Sequence, residues 1–196
     1  MTKIFFSIFL VLIISMAAFA QNTQWEFDKA HTNIGFSISH LIISDVTGRF
    51  NDYDGTFTST AADFSGSQVN IVIKTASIYT DNEKRDNHLR SKDFFDAQNK
   101  PEITFKSTSF EKIDDKKYKI SGKLSMNGIT KNVVLDGTFK GLIKDPWGGT
   151  RAGFKATTTL DRYDFDLTYN SALETGGFLI GKTVEIEINV ELIKKS

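Results

Sequence analysis

No cysteine occurs among the 196 residues, which excludes disulfide scaffolds, thiol nucleophiles and cysteine-based zinc sites. Only two prolines are present, as suits a chain of many paired strands. An excess of one charge is missing too. The 24 Lys and Arg balance 24 Asp and Glu, and no basic run offers a surface to nucleic acid. Histidine is scarce: His31, His40 and His88 are the only three, without the short spacings that build a zinc site, so no metal is expected. Neither a G-x-S-x-G elbow nor a Gly-rich phosphate loop appears. After the first twenty residues no long hydrophobic run follows, so no integral membrane helix is expected there.

Those twenty residues read as an address. Lys3 precedes the apolar run from Ile4 to Leu12, continued by Ile13, Ile14 and Met16, and Ala18-Phe19-Ala20 supplies the small-x-small cleavage pattern. Cleavage after Ala20 leaves residues 21–196 as one exported domain, periplasmic or secreted; an uncleaved anchor is the alternative. The leader takes one Lys and four Phe with it, leaving a chain of net charge −1 with 13 Phe.

The remaining chain alternates with period two, the mark of half-buried strands. Ile34, Phe36, Ile38 and His40 share one face, as do Val69, Ile71 and Ile73. Tyr118, Ile120, Gly122 and Leu124 lead to Asn127-Gly128, a strong hairpin signal because both residues tolerate positive φ. Val133, Leu135, Gly137 and Phe139 return, then Phe154, Ala156, Thr158 and Leu160, and finally Val184, Ile186, Ile188, Val190 and Leu192. Shorter strands are expected at 24–27, 46–50, 55–58, 103–110 and 163–169. About eight antiparallel strands predict an all-β fold, an up-and-down barrel or a sandwich, with closure favoured because it removes exposed edges. Such a barrel is either filled by side chains or holds one small ligand. Small residues at Gly122, Gly137, Ala156 and Thr158 leave interior volume, or else receive large side chains from opposite.

One short helix breaks the rhythm, over about 81–92. Thr80-Asp81-Asn82-Glu83 reads as a capping box, with Arg90 and Lys92 toward the negative end. Leu89 and the pair Phe94-Phe95 are its apolar anchors. A helix so polar either lies across an opening as a lid or rim, or is an ordinary solvated connector.

His40 is an anomaly on an apolar face: either a hydrogen-bonded buried histidine or a polar contact for a ligand head group. Arg85, His88 and Arg151 are the other head-group candidates. Arg151 and the pair Asp161-Arg162 sit at the two ends of one strand, where structural ion pairing is the expected role.

The run Trp25, Asp28-Lys29-Ala30-His31, Ile34 to Leu41, Val46, Gly48 and Phe50 carries a resemblance. So do Asp86-Asn87-His88-Leu89-Arg90-Ser91-Lys92-Asp93-Phe94-Phe95, Pro101 to Phe105, Gly122-Lys123-Leu124 with Gly128-Ile129-Thr130, Gly153-Phe154 and Leu160 to Phe165. From Trp25 to Leu192 the chain resembles the YceI family of exported, lipocalin-like proteins associated with polyisoprenoid binding. The resemblance implies an eight-stranded antiparallel barrel with one helix and an apolar tunnel for a prenyl chain, without catalysis or a cofactor. Asn170–Gly177 departs from the family pattern and leaves one barrel mouth open to question.

The expected function is therefore non-catalytic binding of a long apolar lipid, a polyisoprenoid or an isoprenoid quinone, for carriage or storage. The expected tunnel lining is Phe36, Ile38 and Phe50, then Ile71, Ile73 and Phe105. Further along it takes in Ile120, Leu124, Leu135, Phe154, Leu160, Ile186 and Ile188. A Phe-rich, Tyr-poor wall suits such a chain because each buried hydroxyl needs a partner. Two rival readings are a small outer-membrane β-barrel and a periplasmic esterase-like enzyme with His40 or His88 as base. A homodimer stays open.

Overall fold

The computed structural model describes residues 22–172 and 179–195. The leader expected over residues 1–20 lies outside them, as do residues 173–177 of the departing Asn170–Gly177 stretch. The strands are β1 (Thr23–Phe27), β2 (Asn33–His40), β3 (Ser44–Phe50), β4 (Tyr53–Ser59), β5 (Gln68–Lys74), β6 (Ile78–Tyr79), β7 (Glu102–Lys112), β8 (Lys117–Met126), β9 (Ile129–Lys144), β10 (Thr150–Asp161) and β11 (Ile180–Lys194). One helix, α1 (Glu83–Arg90), follows β6. All pairings are antiparallel.

Three of the barrel's staves are broken strands. β11 pairs with β1 through Phe27↔Leu192 and with β2 through Asn33↔Asn189, so β1 and β2 lie end to end along one neighbour. Residues 28–32 interrupt them, where Asp28 accepts a hydrogen bond from the Ala30 amide. β3 and β4 continue one another in the same way, and β5 continues into β6 across a 3-10 turn at Thr75–Ser77. Counted by stave, eight strands run up and down in sequence order and close where β11 meets the first. The hairpin at Asn127-Gly128 has both residues at positive φ, 54° and 83°, as the sequence requires.

Alternation sorts the two faces. On β8 Tyr118, Ile120 and Gly122 are buried, whereas Lys117, Lys119 and Lys123 are exposed. Charge faces outward and apolar groups face inward, the reverse of a membrane-spanning barrel, whose outer band must be apolar. Among the described residues no helix is long and apolar enough to cross a membrane.

The segment 163–169 is not a strand. Asp161 accepts a hydrogen bond from the Tyr163 amide and starts a 3-10 turn at Arg162–Phe165, which Asp166 ends in the left-handed region at φ 58°. Three aspartates within six residues favour turn geometry over a ladder.

One end of the barrel is filled. Loop 60–67 folds inward and plants Phe64, held at φ 63°, among Trp25, Phe139 and Phe154 with ring centroids 5.1–5.4 Å away. Phe57, Phe110 and Tyr118 complete this aromatic floor. Above it the barrel is hollow, so both interior expectations hold, each in its own part.

The small inward residues divide likewise. A Cβ at Gly122 would lie 2.4 Å from two atoms of the Phe105 ring and 2.7 Å from the Lys106 carbonyl oxygen, so this glycine receives a ring instead of leaving space. Gly137 is similarly covered by Ile120 and Tyr118. Ala156 and Thr158 do border open volume. Gly122→Ala is therefore expected to lower stability by about 1–3 kcal/mol through overpacking. Urea unfolding checks this; a midpoint equal to the parent's would mean that the Phe105 ring has room to turn away.

Candidate functional site

The hollow part holds two cavities stacked along the barrel. The inner one, about 170 Å³, rests on the aromatic floor, and the mouth cavity, about 280 Å³, opens beside α1. Phe36, Phe50, Met126, Leu160 and Ile186 border both. Phe36 and Phe50, with ring centroids 6.0 Å apart, form a neck between them. Gly48 makes room for this neck, since a Cβ there would fall 2.4 Å from the Phe36 ring.

Every residue expected to line the tunnel borders one of these cavities. Ile38 belongs to the mouth, whereas Ile71, Ile73, Phe105, Ile120, Leu124, Leu135, Phe154 and Ile188 belong to the inner chamber. The inner wall has no charged side chain, and its hydroxyls are few. Tyr53 donates to the Thr32 carbonyl at 3.2 Å, and the Thr32 hydroxyl bridges the Glu191 carbonyl and amide. Those two hydroxyls are thereby spent on backbone, which leaves Thr158 as the one further hydroxyl residue on a wall otherwise of hydrocarbon.

At the mouth, α1 is held differently from the sequence expectation. Its cap is Asn82, whose side chain accepts from the Arg85 amide at 3.0 Å, not Thr80. Thr80 serves the buried Asp86, whose Oδ1 accepts from the Thr80 amide at 2.9 Å and hydroxyl at 2.5 Å. Arg85 closes the same network by donating to the Thr80 hydroxyl and carbonyl. Arg90 donates to the carbonyls of Ala76 and Ile78, fastening the far end of the helix to β6. Leu89 and the two Phe are thus not its sole docking, because a polar network shares the load. Short apolar patterning could not reveal this, since Asp86 looks like any solvated helix charge.

Leu89, Phe94 and Phe95 all border the mouth cavity, with separate tasks for the two rings. Phe95 packs edge-on to Phe50 at the neck, 6.1 Å away. Phe94 reaches across the mouth to Tyr169 at 4.9 Å and packs edge-on to His88 at 5.0 Å. His88 itself is 4.8 Å from Tyr169, and its Nε2 lies 3.0 Å from Asp93 Oδ2.

Of the head-group candidates, His40, Arg85 and His88 border the mouth cavity and Arg151 does not. Arg151 sits on the outer wall toward the filled end, on the opposite face from its buried neighbours Ala152 and Phe154. It binds Asp28 and Glu191 at 2.6 Å each and Asp145 at 2.7 Å. Asp28, His31 and Glu191 cluster closely enough to hold a metal ion, but the guanidinium is already the cation among them. A hydrogen bond from His31, then one from Arg151, holds the Asp28 carboxyl down to about 2, and the same contact raises His31. A depressed folded value means that this stabilisation is complete above the ordinary 3.8 and is lost as pH falls toward about 2. His31 works in the other sense, stabilising below its ordinary 6.5 and losing effect as pH rises past its raised value. Asp28→Asn is expected to flatten the fall in urea midpoint over this acid range. An unchanged slope would assign acid sensitivity to other carboxylates.

The strand expected at 163–169 and the ion-pairing role expected of Arg162 both gave no sign that this segment belongs to the site. Arg162, Leu167 and Tyr169 all border the mouth cavity. Arg162 is only 3% exposed and donates to the carbonyls of Gly181, Leu167 and Tyr169. Burial pushes its pKa down. Asn170 stitches the base of the neighbouring stretch through both polar groups of the Ile180 backbone.

A closed up-and-down barrel of eight staves around an apolar chamber defines the lipocalin-like class of β-barrels. Within it the chain belongs to the YceI-like domain family, whose pattern matches residues 25–192. It is 39% identical over 178 residues to a UPF0312 protein of Pseudomonas savastanoi, spanning 90% of this chain and 89% of that one. The crystal structure of a YceI protein from Campylobacter jejuni is 37% identical with a TM-score of 0.70, covering 86% of this chain and 96% of its own. A polyisoprenoid binding domain from Saccharophagus degradans, implicated in plant cell wall breakdown, shares the fold at a TM-score of 0.63 and 14% identity, covering 87% and 98%.

Proposed function

We propose that the protein is an exported, non-catalytic carrier or store for a long-chain lipid of the polyisoprenoid or isoprenoid quinone class. The observation that carries this reading is the inner chamber, whose wall is almost entirely hydrocarbon and whose Tyr53 and Thr32 hydroxyls are turned to backbone. A chain reaching through the neck gains about 0.8 kcal/mol for each buried methylene, before the cost of ordering it. The name of the Saccharophagus domain, a polyisoprenoid binder of the same fold, supports the same chemistry. The leader at 1–20 supports export to the periplasm or beyond.

Against an esterase, no hydroxyl hydrogen-bonds the ring of His40 or of His88 among the described residues, so neither histidine is paired with a nucleophile it could activate. Mass spectrometry of organic extracts from the purified full chain tests the proposal. Prenyl lipids in near-equal ratio to protein are the expected result. Extracts free of any long-chain lipid, with no uptake of added geranylgeraniol, would overturn it.

The Phe94–Tyr169 contact acts as the latch of a lid over the mouth. Phe94→Ala is expected to speed release of geranylgeraniol several-fold while thermal unfolding changes little, because Arg85 and Arg90 still fasten the helix. Release at the parent's rate would show that the contact is no latch.

A further inference from the structure

The turn between β2 and β3 sets large aliphatic groups in the open. Among the described residues Ile43, at 85% exposure, and Ile42, at 69%, are the most exposed large aliphatic side chains. Polar residues are the ordinary choice in a turn, and the backbone here asks for them. Leu41 and Ile42 both take positive φ, 55° and 67°, which Asn, Asp or Gly adopt more readily than a β-branched residue. The turn is nonetheless fixed. The Leu41 amide donates to the Leu179 carbonyl at 2.9 Å, and the Ile43 amide to the His40 carbonyl at 3.3 Å. A strained turn that presents apolar groups to solvent points to a surface that is covered by something apolar in its working state.

The place of this tip in the barrel says which apolar surface. His40 and Ile180, paired across β2 and β11, border the mouth cavity, and the tip continues directly beyond His40. Ile42 and Ile43 themselves belong to neither cavity wall. Ile42 instead shares a surface notch with Tyr163, Ile180 and Lys182. A tyrosine ring and a lysine stem beside protruding aliphatic groups are side chains that settle at a membrane interface. The Lys182 ammonium is held by Asp161 at 2.8 Å, so charge adds little and the attraction is hydrophobic. We propose that the Leu41–Ile43 tip enters a lipid bilayer and sets the barrel mouth against the membrane. This rests on the lipid-binding reading and goes beyond it, by saying where a water-insoluble chain is taken up. Two isoleucines bury less than one acyl anchor, so the contact is brief and reversible.

Protein purified after export and equimolar phosphatidylethanolamine–phosphatidylglycerol vesicles test this. Trp25 is buried at the filled end, and Trp147, 83% exposed beyond β9, marks that end from outside. Parent emission should stay unshifted when vesicles are added, whereas Ile43→Trp in a Trp147→Phe background should shift to the blue. Ile42→Asp combined with Ile43→Asp should weaken vesicle binding about a hundredfold, or about tenfold for each side chain. Its thermal stability should match the parent's or exceed it, because both sites are exposed and Asp accepts positive φ. Uptake of geranylgeraniol from vesicles should slow in that variant, while its affinity for geranylgeraniol delivered from cyclodextrin stays at the parent's value. Undiminished vesicle binding in the double variant would overturn the proposal, as would a blue shift of Trp147 in the parent. A parent that ignores vesicles but takes the lipid from cyclodextrin would overturn docking and leave lipid binding intact. So would a parent dimer that ignores vesicles and that the double variant dissociates, since a second copy would then cover the tip. Failure to take geranylgeraniol from either source would defeat the lipid reading itself, and this proposal with it.

Discussion

Phe154→Ala is expected to cost the fold about 3–5 kcal/mol. Phe154 is 6% exposed and stands at the centre of the aromatic floor. Its ring centroid lies 5.1 Å from Phe64 and Phe139 and 5.9–6.0 Å from Phe57, Phe110 and Tyr118. The cost of such a deletion depends on how far the surroundings can collapse into the space. Here they can collapse little, because a closed ring of paired strands fixes the distance between opposite walls. Nor does the inner chamber above offer atoms to move in. Because whole domains are stable by only about 5–15 kcal/mol, this variant would unfold well below the parent's urea midpoint. A loss under about 1 kcal/mol would show that loop 60–67 and Phe64 sink into the gap. The floor would then be an adaptable plug rather than a fixed base.

The staves of this barrel were legible in the sequence wherever a strand keeps one face wet. On β8 and β11 lysines and glutamates alternate with apolar residues, and period two gave both the strand and its inward face. The same parity identified the tunnel wall, because in a closed barrel the inward face and the cavity face are one. What parity could not supply was the division of the interior. Phe64 closes the floor from a loop, at a positive φ that no periodicity encodes. Gly122 resembled Ala156 as a small inward residue, yet one is covered by the Phe105 ring and the other faces open volume. That difference arises across strands, in the register of β7 against β8.

Polar residues were read least well, for a related reason. Arg151 and Arg162 flank the same strand and look alike in sequence. The first points outward into three carboxylates, and the second turns inward at a 3-10 turn and meets carbonyls. One residue's parity at a strand end decides which arginine faces the cavity. The helix shows the same limit, since the Thr80–Asp86–Arg85 network forms only when β6 delivers Thr80 beneath α1. Sequence-local capping rules could name Thr80 as important but not its partner.

Ala156→Trp is expected to abolish prenyl-chain uptake while leaving the barrel folded. Ala156 lies on β10 between Ile188 and Gly137 and borders the inner chamber of about 170 Å³. In a filled core such an enlargement would strain the structure, but here the indole enters space that is already open. Stability should therefore hold or rise slightly as the ring gains contacts with the chamber wall. The ligand loses the same space. If the indole displaces about five chain carbons, the forfeited burial is about 4 kcal/mol, or roughly a thousandfold in affinity. Thr157→Trp, one residue along and on the outer face, supplies the control, since it adds the same side chain without entering the chamber. Geranylgeraniol titration and thermal unfolding of both variants decide the matter. Loss of binding in Ala156→Trp alone, with unfolding near the parent's temperature, places the chain in the inner chamber. Undiminished binding in that variant, or equal loss in Thr157→Trp, would mean that the chain lies elsewhere.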